Sequence, residues 1–336
     1  MYDLGRVDSP IARATGIARV TLETPDVEAA EKFYADFGLR MRREGETLMG
    51  ACIGGDSRHA AIVIERGPRA ALRSVSLWVS SQADLDALAS IELRSPGGIL
   101  VEAMFDPAHA REAAASCARP IVAPRDATVP VRLATGPSKV LRLGHAVLET
   151  ASPVATTTWF MRTFGMIISD YQTLEDTPDD GPVIAFMRCN LGDTPADHHT
   201  LAIALGAFDG LAHLAFEVSD LDEIGRGGAF LEARGRTRAW GIGRHILGSQ
   251  VFDYWRTPDG MMVEHYADGD RLAASVPTGH LPFCGSNLSQ WGPPVPRAFG
   301  MPPVTFSVAA RAARGVARSE EVPVGILSRA ARALGR

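Results

Sequence analysis

Short runs in which apolar and polar residues alternate recur along the chain, among them Val20-Thr-Leu-Glu and Leu214-Ala-Phe-Glu-Val. Successive side chains of a strand point to opposite faces of a sheet, so each run predicts a β-strand with one buried face. Stretches with a helical rhythm follow some of them. Val27-Glu-Ala-Ala-Glu-Lys-Phe-Tyr-Ala-Asp-Phe stops at Gly38, and Trp159-Phe-Met-Arg-Thr-Phe stops at Gly165, so both read as helices ended by a Phe-Gly pair. Thr24-Pro25 and Ser152-Pro153 each offer a capping oxygen ahead of a proline at the first helical position, where the missing N–H costs nothing.

The pattern is duplicated. Arg19-Val-Thr-Leu-Glu-Thr returns as His145-Ala-Val-Leu-Glu-Thr, and Ser76-Leu-Trp-Val-Ser with Leu85-Asp-Ala-Leu returns as Ala215-Phe-Glu-Val-Ser with Leu221-Asp-Glu-Ile. Ser95-Pro-Gly-Gly-Ile-Leu-Val-Glu-Ala likewise matches Thr257-Pro-Asp-Gly-Met-Met-Val-Glu-His. The matches keep their order in both halves, which points to duplication rather than chance. We place a first domain at residues 1–135, a second at 136–275, and a Pro/Gly-rich then Ala/Arg-rich tail at 276–336, with a linker from Pro120-Ile-Val-Ala-Pro to Gly136-Pro137. In the tail, Arg311, Arg314, Arg318, Arg329 and Arg332 read as a solvated helix face.

Composition narrows the partners. With 336 residues, 46% hydrophobic and 22% charged, the chain can fill two ordinary cores, and a net charge of −5 gives no general reason to bind nucleic acid. A small molecule is the better default. Cys52, Cys117, Cys189 and Cys284 are too scattered for a zinc ribbon or a disulfide framework and read as reduced thiols in the cytoplasm. The N-terminal residues lack a signal-peptide core, and no apolar run approaches the roughly 20 residues of a membrane span. A soluble protein is expected.

Aligning the halves isolates candidate chemistry. His145 falls opposite Arg19, His213 opposite Ser74, and Glu264 opposite Glu102, so only the second half carries two histidines and a carboxylate on three strands. Two imidazoles and one carboxylate with open positions are the facial ligand set of non-haem iron(II) oxygenases, whereas a closed structural zinc site leaves no room for substrate. His265 follows Glu264 directly and should point to the opposite face.

The run from Gly243-Arg-His through Tyr254, then Pro258-Asp-Gly and Glu264, resembles the signature of type I extradiol ring-cleaving dioxygenases of the vicinal oxygen chelate superfamily. The similarity extends over both halves and into Trp291-Gly-Pro-Pro. It implies an α+β fold of two tandem duplicated vicinal-oxygen-chelate domains, each built of two βαβββ-type modules curling around a cavity, with the metal in the second. It implies Fe(II), with Mn(II) as runner-up, on His145, His213 and Glu264, and a catechol-type substrate together with dioxygen. His245 and Tyr254 would orient the diol. The acid–base histidine would be His199, which abuts the Thr-Leu-Ala strand, with His198 a loop neighbour. Homo-oligomers are common in such enzymes. After His245 the family often carries polar residues, whereas Ile246-Leu247-Gly248 here is apolar or bare. Met161, Phe252, Asp253 and Trp255 are further candidates for the pocket. Two other readings stand beside this one: a glyoxalase-like isomerase or metal-dependent transferase on the same fold, and a metal-free protein that binds an aromatic compound.

Overall fold

The computed structural model describes residues 5–53, 59–108, 132–176, 181–296, 299, 312–313, 315, 321 and 325–335. Cys117, Arg311, Arg314, Arg318 and most of the expected linker lie outside them. The first half runs β1 (Ala14–Thr24), α1 (Val27–Phe37), β2 (Arg40–Glu44), β3 (Thr47–Ala51), β4 (Ile62–Arg66), β5 (Ala71–Val79), α2 (Gln82–Leu88) and β6 (Leu100–Met104). The second opens with β7 (Arg142–Thr150), α3 (Pro153–Phe164), β8 (Ile167–Thr173), β9 (Pro182–Arg188), β10 (Ala196–Asp197) and β11 (Leu201–Leu205). It continues with β12 (Gly210–Glu217), α4 (Leu221–Ala233), β13 (Thr237–His245), β14 (Val251–Arg256) and β15 (Met262–Ala267). Last come β16 (Arg271–Leu272), β17 (Gly279–Pro282), β18 (Ser289–Trp291) and α5 (Ile326–Leu334).

Two large sheets carry this mixed α+β fold, and β10 and β16 form a separate two-stranded pair. One large sheet has the order β2-β3-β4-β1-β5-β6, and the other the order β17-β8-β9-β11-β7-β12-β15-β14-β13-β18. The stretch β4-β1-β5-β6 repeats as β11-β7-β12-β15, with the same parallel and antiparallel pairings. Register also repeats: Arg19 lies opposite Ser76 and Ser76 opposite Glu102, as His145 lies opposite Ala215 and Ala215 opposite Glu264. The alignment of the halves therefore holds residue by residue. The second half shows both βαβββ modules, β7-α3-β8-β9-β11 and β12-α4-β13-β14-β15.

Both helices expected to end at Phe-Gly do so, because Gly38 (φ 117°) and Gly165 (φ 65°) take the left-handed conformation that a side chain would disfavour. The expected capping oxygens need correction. Helix α1 is capped by Asp26, whose carboxylate accepts from Ala29 N at 2.8 Å, while Thr24 Oγ1 accepts from Asp26 N one step earlier. Ser152 does precede Pro153 at the start of α3 but makes no side-chain cap, and Glu321 from the far end of the chain accepts from Val154 N and Ala155 N at 2.7 and 2.9 Å.

A single apolar core spans both halves. The ring of Phe37, at the end of α1, meets Phe216 of β12 edge to face at 5.5 Å and stacks on His265 of β15 at 3.7 Å. His265 does face away from Glu264, with its Nε2–H donating to Phe37 O at 2.8 Å.

The halves also meet through two equivalent turns. Thr24 Oγ1, at the end of β1, donates to Asp259 Oδ2 at 2.5 Å, and Asp259 sits in the Pro-Asp-Gly turn before β15. The equivalent of Asp259 is Gly97, and a Cβ there would collide with Thr150 and Asp209. Thr150, the equivalent of Thr24, instead donates to Asp209 Oδ1 at 2.5 Å.

Residues read as a tail are partly built into the second sheet, since β17 pairs with β8 and β18 with β13. Cys52, Cys189 and Cys284 are free thiols. No helix among the described residues is long and apolar enough to cross a membrane.

Candidate metal centre

Strands β7, β12 and β15 are neighbours in the second sheet. His145 and Glu264 both lie opposite Ala215, one from each side, and His213 precedes Ala215 by two residues on the same strand. Because strand side chains alternate, all three project from one face. The β7–β12 register shifts between Leu211 and His213 and again between Ala215 and Phe216, the kind of irregularity that re-aims side chains beside functional sites.

The three ligand atoms lie within 4.8 Å of one another. Nε2 of His145 is 3.5 Å and Nε2 of His213 3.3 Å from Glu264 Oε2. Neighbouring ligand atoms on a divalent ion with bonds of about 2.1 Å sit roughly 3 Å apart, so this cluster needs little adjustment to close on one. Both oxygens of Glu264 and Nε2 of His213 are buried without a hydrogen-bond partner. Leaving such atoms unpaired costs about 1–3 kcal/mol each, and more for a charge, so the donor set fits a cation. Burial acts to raise the Glu264 pKa, but the facing imidazoles of His145 and His213 outweigh it and hold the carboxyl ionised. Burial also lowers the His145 pKa, keeping that ring in the neutral form a metal requires. His145 Nδ1 has no partner either, so the ring is oriented by packing against His199 (4.1 Å), Tyr266 (5.2 Å) and His213 (5.6 Å).

Tyr254 lies opposite Glu264 in the β14–β15 pairing and reaches the same face, its ring edge to face with His213 at 5.1 Å. Its hydroxyl is 2.9 Å from His245 Nε2. On the other side of that ring Nδ1 is 2.8 Å from Leu288 O, which can only accept. A neutral His245 therefore carries its proton on Nδ1 and accepts the Tyr254 hydroxyl at Nε2. Burial lowers the His245 pKa and raises that of Tyr254 well above the ordinary phenol value, so both are uncharged. The structure separates the two adjacent histidines. His199 joins the cluster beside His145, and burial followed by the imidazoles of His145, His198, His213 and His245 holds its pKa well down. His198 turns away, with Nε2 at 2.6 Å from Asp170 Oδ2.

The further pocket candidates divide. Phe252 stacks on His245 at 4.2 Å and touches Tyr254 at 5.4 Å. Asp253 and Trp255 belong to the other face of β14, where Asp253 takes Arg238 and the Trp255 indole N–H. Met161 is buried in the main core. Sequence reading missed Leu288, Trp240 and Phe299, although Phe299 packs on Tyr254 at 5.1 Å and on Trp240 at 4.9 Å. Nothing in their local sequence marks them: Trp240 lies on β13, while Leu288 and Phe299 come in from the segments on either side of β18. In the first half Glu102 is satisfied differently: Ser74 and Ser76 hydroxyls donate to its Oε2 at 3.2 and 2.7 Å, and Arg19 occupies the position of His145.

The Glyoxalase/Bleomycin resistance protein/Dioxygenase superfamily matches residues 142–265, the stretch that holds all three candidate ligands. Metapyrocatechase 2 of Cupriavidus necator is 31% identical over 324 residues, spanning 88% of this chain and 95% of that protein. Among solved structures, the Mn(II)-bound glyoxalase from Novosphingobium aromaticivorans superposes with a TM-score of 0.69 at 22% identity, covering 88% of this chain and 97% of that one. The substrate complex of homoprotocatechuate 2,3-dioxygenase from Brevibacterium fuscum gives 0.66 at 17% identity, covering 88% and 94%.

Proposed function

The chain belongs to the extradiol dioxygenase family of the vicinal oxygen chelate superfamily, and we propose that His145, His213 and Glu264 hold the metal on which it opens a catechol-type ring beside the two hydroxyls. Both atoms of dioxygen enter the product. The observation that carries the ligand assignment is the Glu264 carboxylate, buried without a donor and faced by two imidazoles.

We assign iron(II), the usual ion of a two-histidine, one-carboxylate oxygenase site, with manganese(II) as the runner-up. When bound, the ion supplies Lewis-acid and one-electron chemistry toward a chelating diol and dioxygen. The chain's own residues supply the rest. Tyr254 and His245, locked together by their 2.9 Å hydrogen bond, would fix the orientation of the diol and so the bond that opens. His199, neutral beside His145, would take a hydroxyl proton at a ring nitrogen and return it as the ring opens. Phe252, Trp240 and Phe299 would exclude water from the far side of Tyr254.

Assembly into a homo-oligomer belongs to the same proposal and is decided by light scattering of the purified chain. The free thiols support a cytoplasmic location.

Anaerobic reconstitution with iron(II) or manganese(II), followed by air and a panel of catechols, tests the reading. A yellow ring-opened product is expected from the wild type and its loss in His213→Ala. Tight metal binding with no oxygen uptake on any catechol would overturn it and favour an isomerase on the same fold.

A further inference from the structure

His198 has no place in the metal cluster, yet it is 2% exposed and clamped on every side. Its backbone N–H donates to Asp270 O at 2.9 Å, and its carbonyl accepts from Ser169 Oγ at 2.5 Å. Two glycines make room for the side chains involved. Gly248, at φ 77°, lies where a Cβ would approach His198 Nδ1 to 2.9 Å, and a Cβ on Gly279 would collide with the Asp170 carboxylate. The bare Gly248, in the apolar run after His245, thus leaves the space in which the His198 ring sits.

The hydrogen bonds then fix protons by elimination. The Asp170 carboxylate can only accept, so His198 Nε2, at 2.6 Å, carries a proton. A neutral His198 has no second N–H, so its Nδ1 offers a lone pair. With His198 in that form, the lone pair faces His199 Nδ1 at 2.9 Å, and the hydrogen bond between the two rings is donated by His199. A neutral His199 then has its remaining lone pair on Nε2.

We propose that Asp170 and His198 are positioning residues that hold His199 as the Nδ1–H tautomer and so keep its Nε2 available to accept a proton. The proposal rests on the dioxygenase reading for its consequence in catalysis but not for the tautomer itself. An imidazole left to itself favours the opposite arrangement, with the proton on Nε2, which would present a donor where a base is needed. Asp170 acts at one remove: it is 18% exposed at its side chain, sits on β8, and reaches His199 only through the intervening ring.

The test uses the full chain. In nitrogen-15 spectra of the histidine-labelled protein loaded with diamagnetic zinc, His199 is expected to be protonated on Nδ1 and to shift to Nε2 in His198→Phe, which keeps the ring contacts with Phe186 and His199. In the iron-loaded enzyme the same substitution is expected to lower kcat by roughly 100-fold while KM and metal content stay close to wild type. Should His198→Phe fail to fold, Asp170→Ala replaces it, with a kcat loss of roughly 10-fold and partial recovery in Asp170→Glu. A wild-type His199 protonated on Nε2, or an unchanged kcat in either His198→Phe or Asp170→Ala, overturns the proposal. Absence of oxygen uptake by the wild type overturns the dioxygenase reading instead, and the nitrogen spectra still decide the tautomer.

Discussion

Residue by residue, the second half shows what burial does to histidine. His265 is buried among apolar rings with Nε2 bonded to Phe37 O, and burial lowers its pKa to about 3 from the ordinary 6.5. A base whose folded pKa lies below its unfolded value binds fewer protons folded than unfolded between the two. Its stabilisation is therefore full above pH about 6.5 and is lost as pH falls toward about 3. In His265→Gln, which keeps a donor for Phe37 O, the fall in Tm across that window should be shallower than in the wild type. An equal slope would show that other groups carry the acid transition. The candidate metal ligands stood out at this scale because duplication supplies an internal control: His145 and His213 differ from Arg19 and Ser74, and Glu264 continues Glu102. His198 and His199 were separable only by a preference, since adjacent residues in a loop have no periodicity to assign their faces. Asp170 carried no signal, because its partner lies across the sheet on another segment.

At the scale of elements, alternation marked strands such as β1 and β12, and the Phe-Gly pairs ended α1 and α3 where expected. Capping was less legible. Ser152 and Thr24 carry the right oxygens, but caps depend on which acceptor arrives first in space, and a carboxylate from residue 321 takes the N-terminus of α3. A negative charge there also complements the helix dipole. Glu321→Ala is expected to destabilise the protein by about 1–2 kcal/mol, and Glu321→Gln by less, in urea melts. A variant as stable as the wild type would mean that water replaces the cap at no cost. Strands β17 and β18 were read as tail because neither has an alternating pattern, and both are held mainly by backbone pairing to β8 and β13. Through Leu288, next to β18, that pairing also sets the proton on His245.

For the whole molecule, the order of strands within each sheet could not be read from the pattern, but the equivalence of the halves could, and the repeated register bears it out. The two turns that join the halves make this testable. Gly97→Asp restores the residue found at the equivalent position 259 but drives it into Thr150 and Asp209, so a loss of about 1–3 kcal/mol is expected. Adding Asp209→Gly should recover most of that loss by letting the new carboxylate accept the Thr150 hydroxyl. A double variant no more stable than Gly97→Asp alone would show that the two turns are not interchangeable. The contact between Thr24 and Asp259 suits a protein in which two identical halves once clasped each other, threonine to aspartate, twice over. Here Thr150 is occupied by an aspartate of its own half, and the glycine opposite leaves nothing to grasp. Two free second halves would find that hand already closed, so the clasp forms only between a second half and a first.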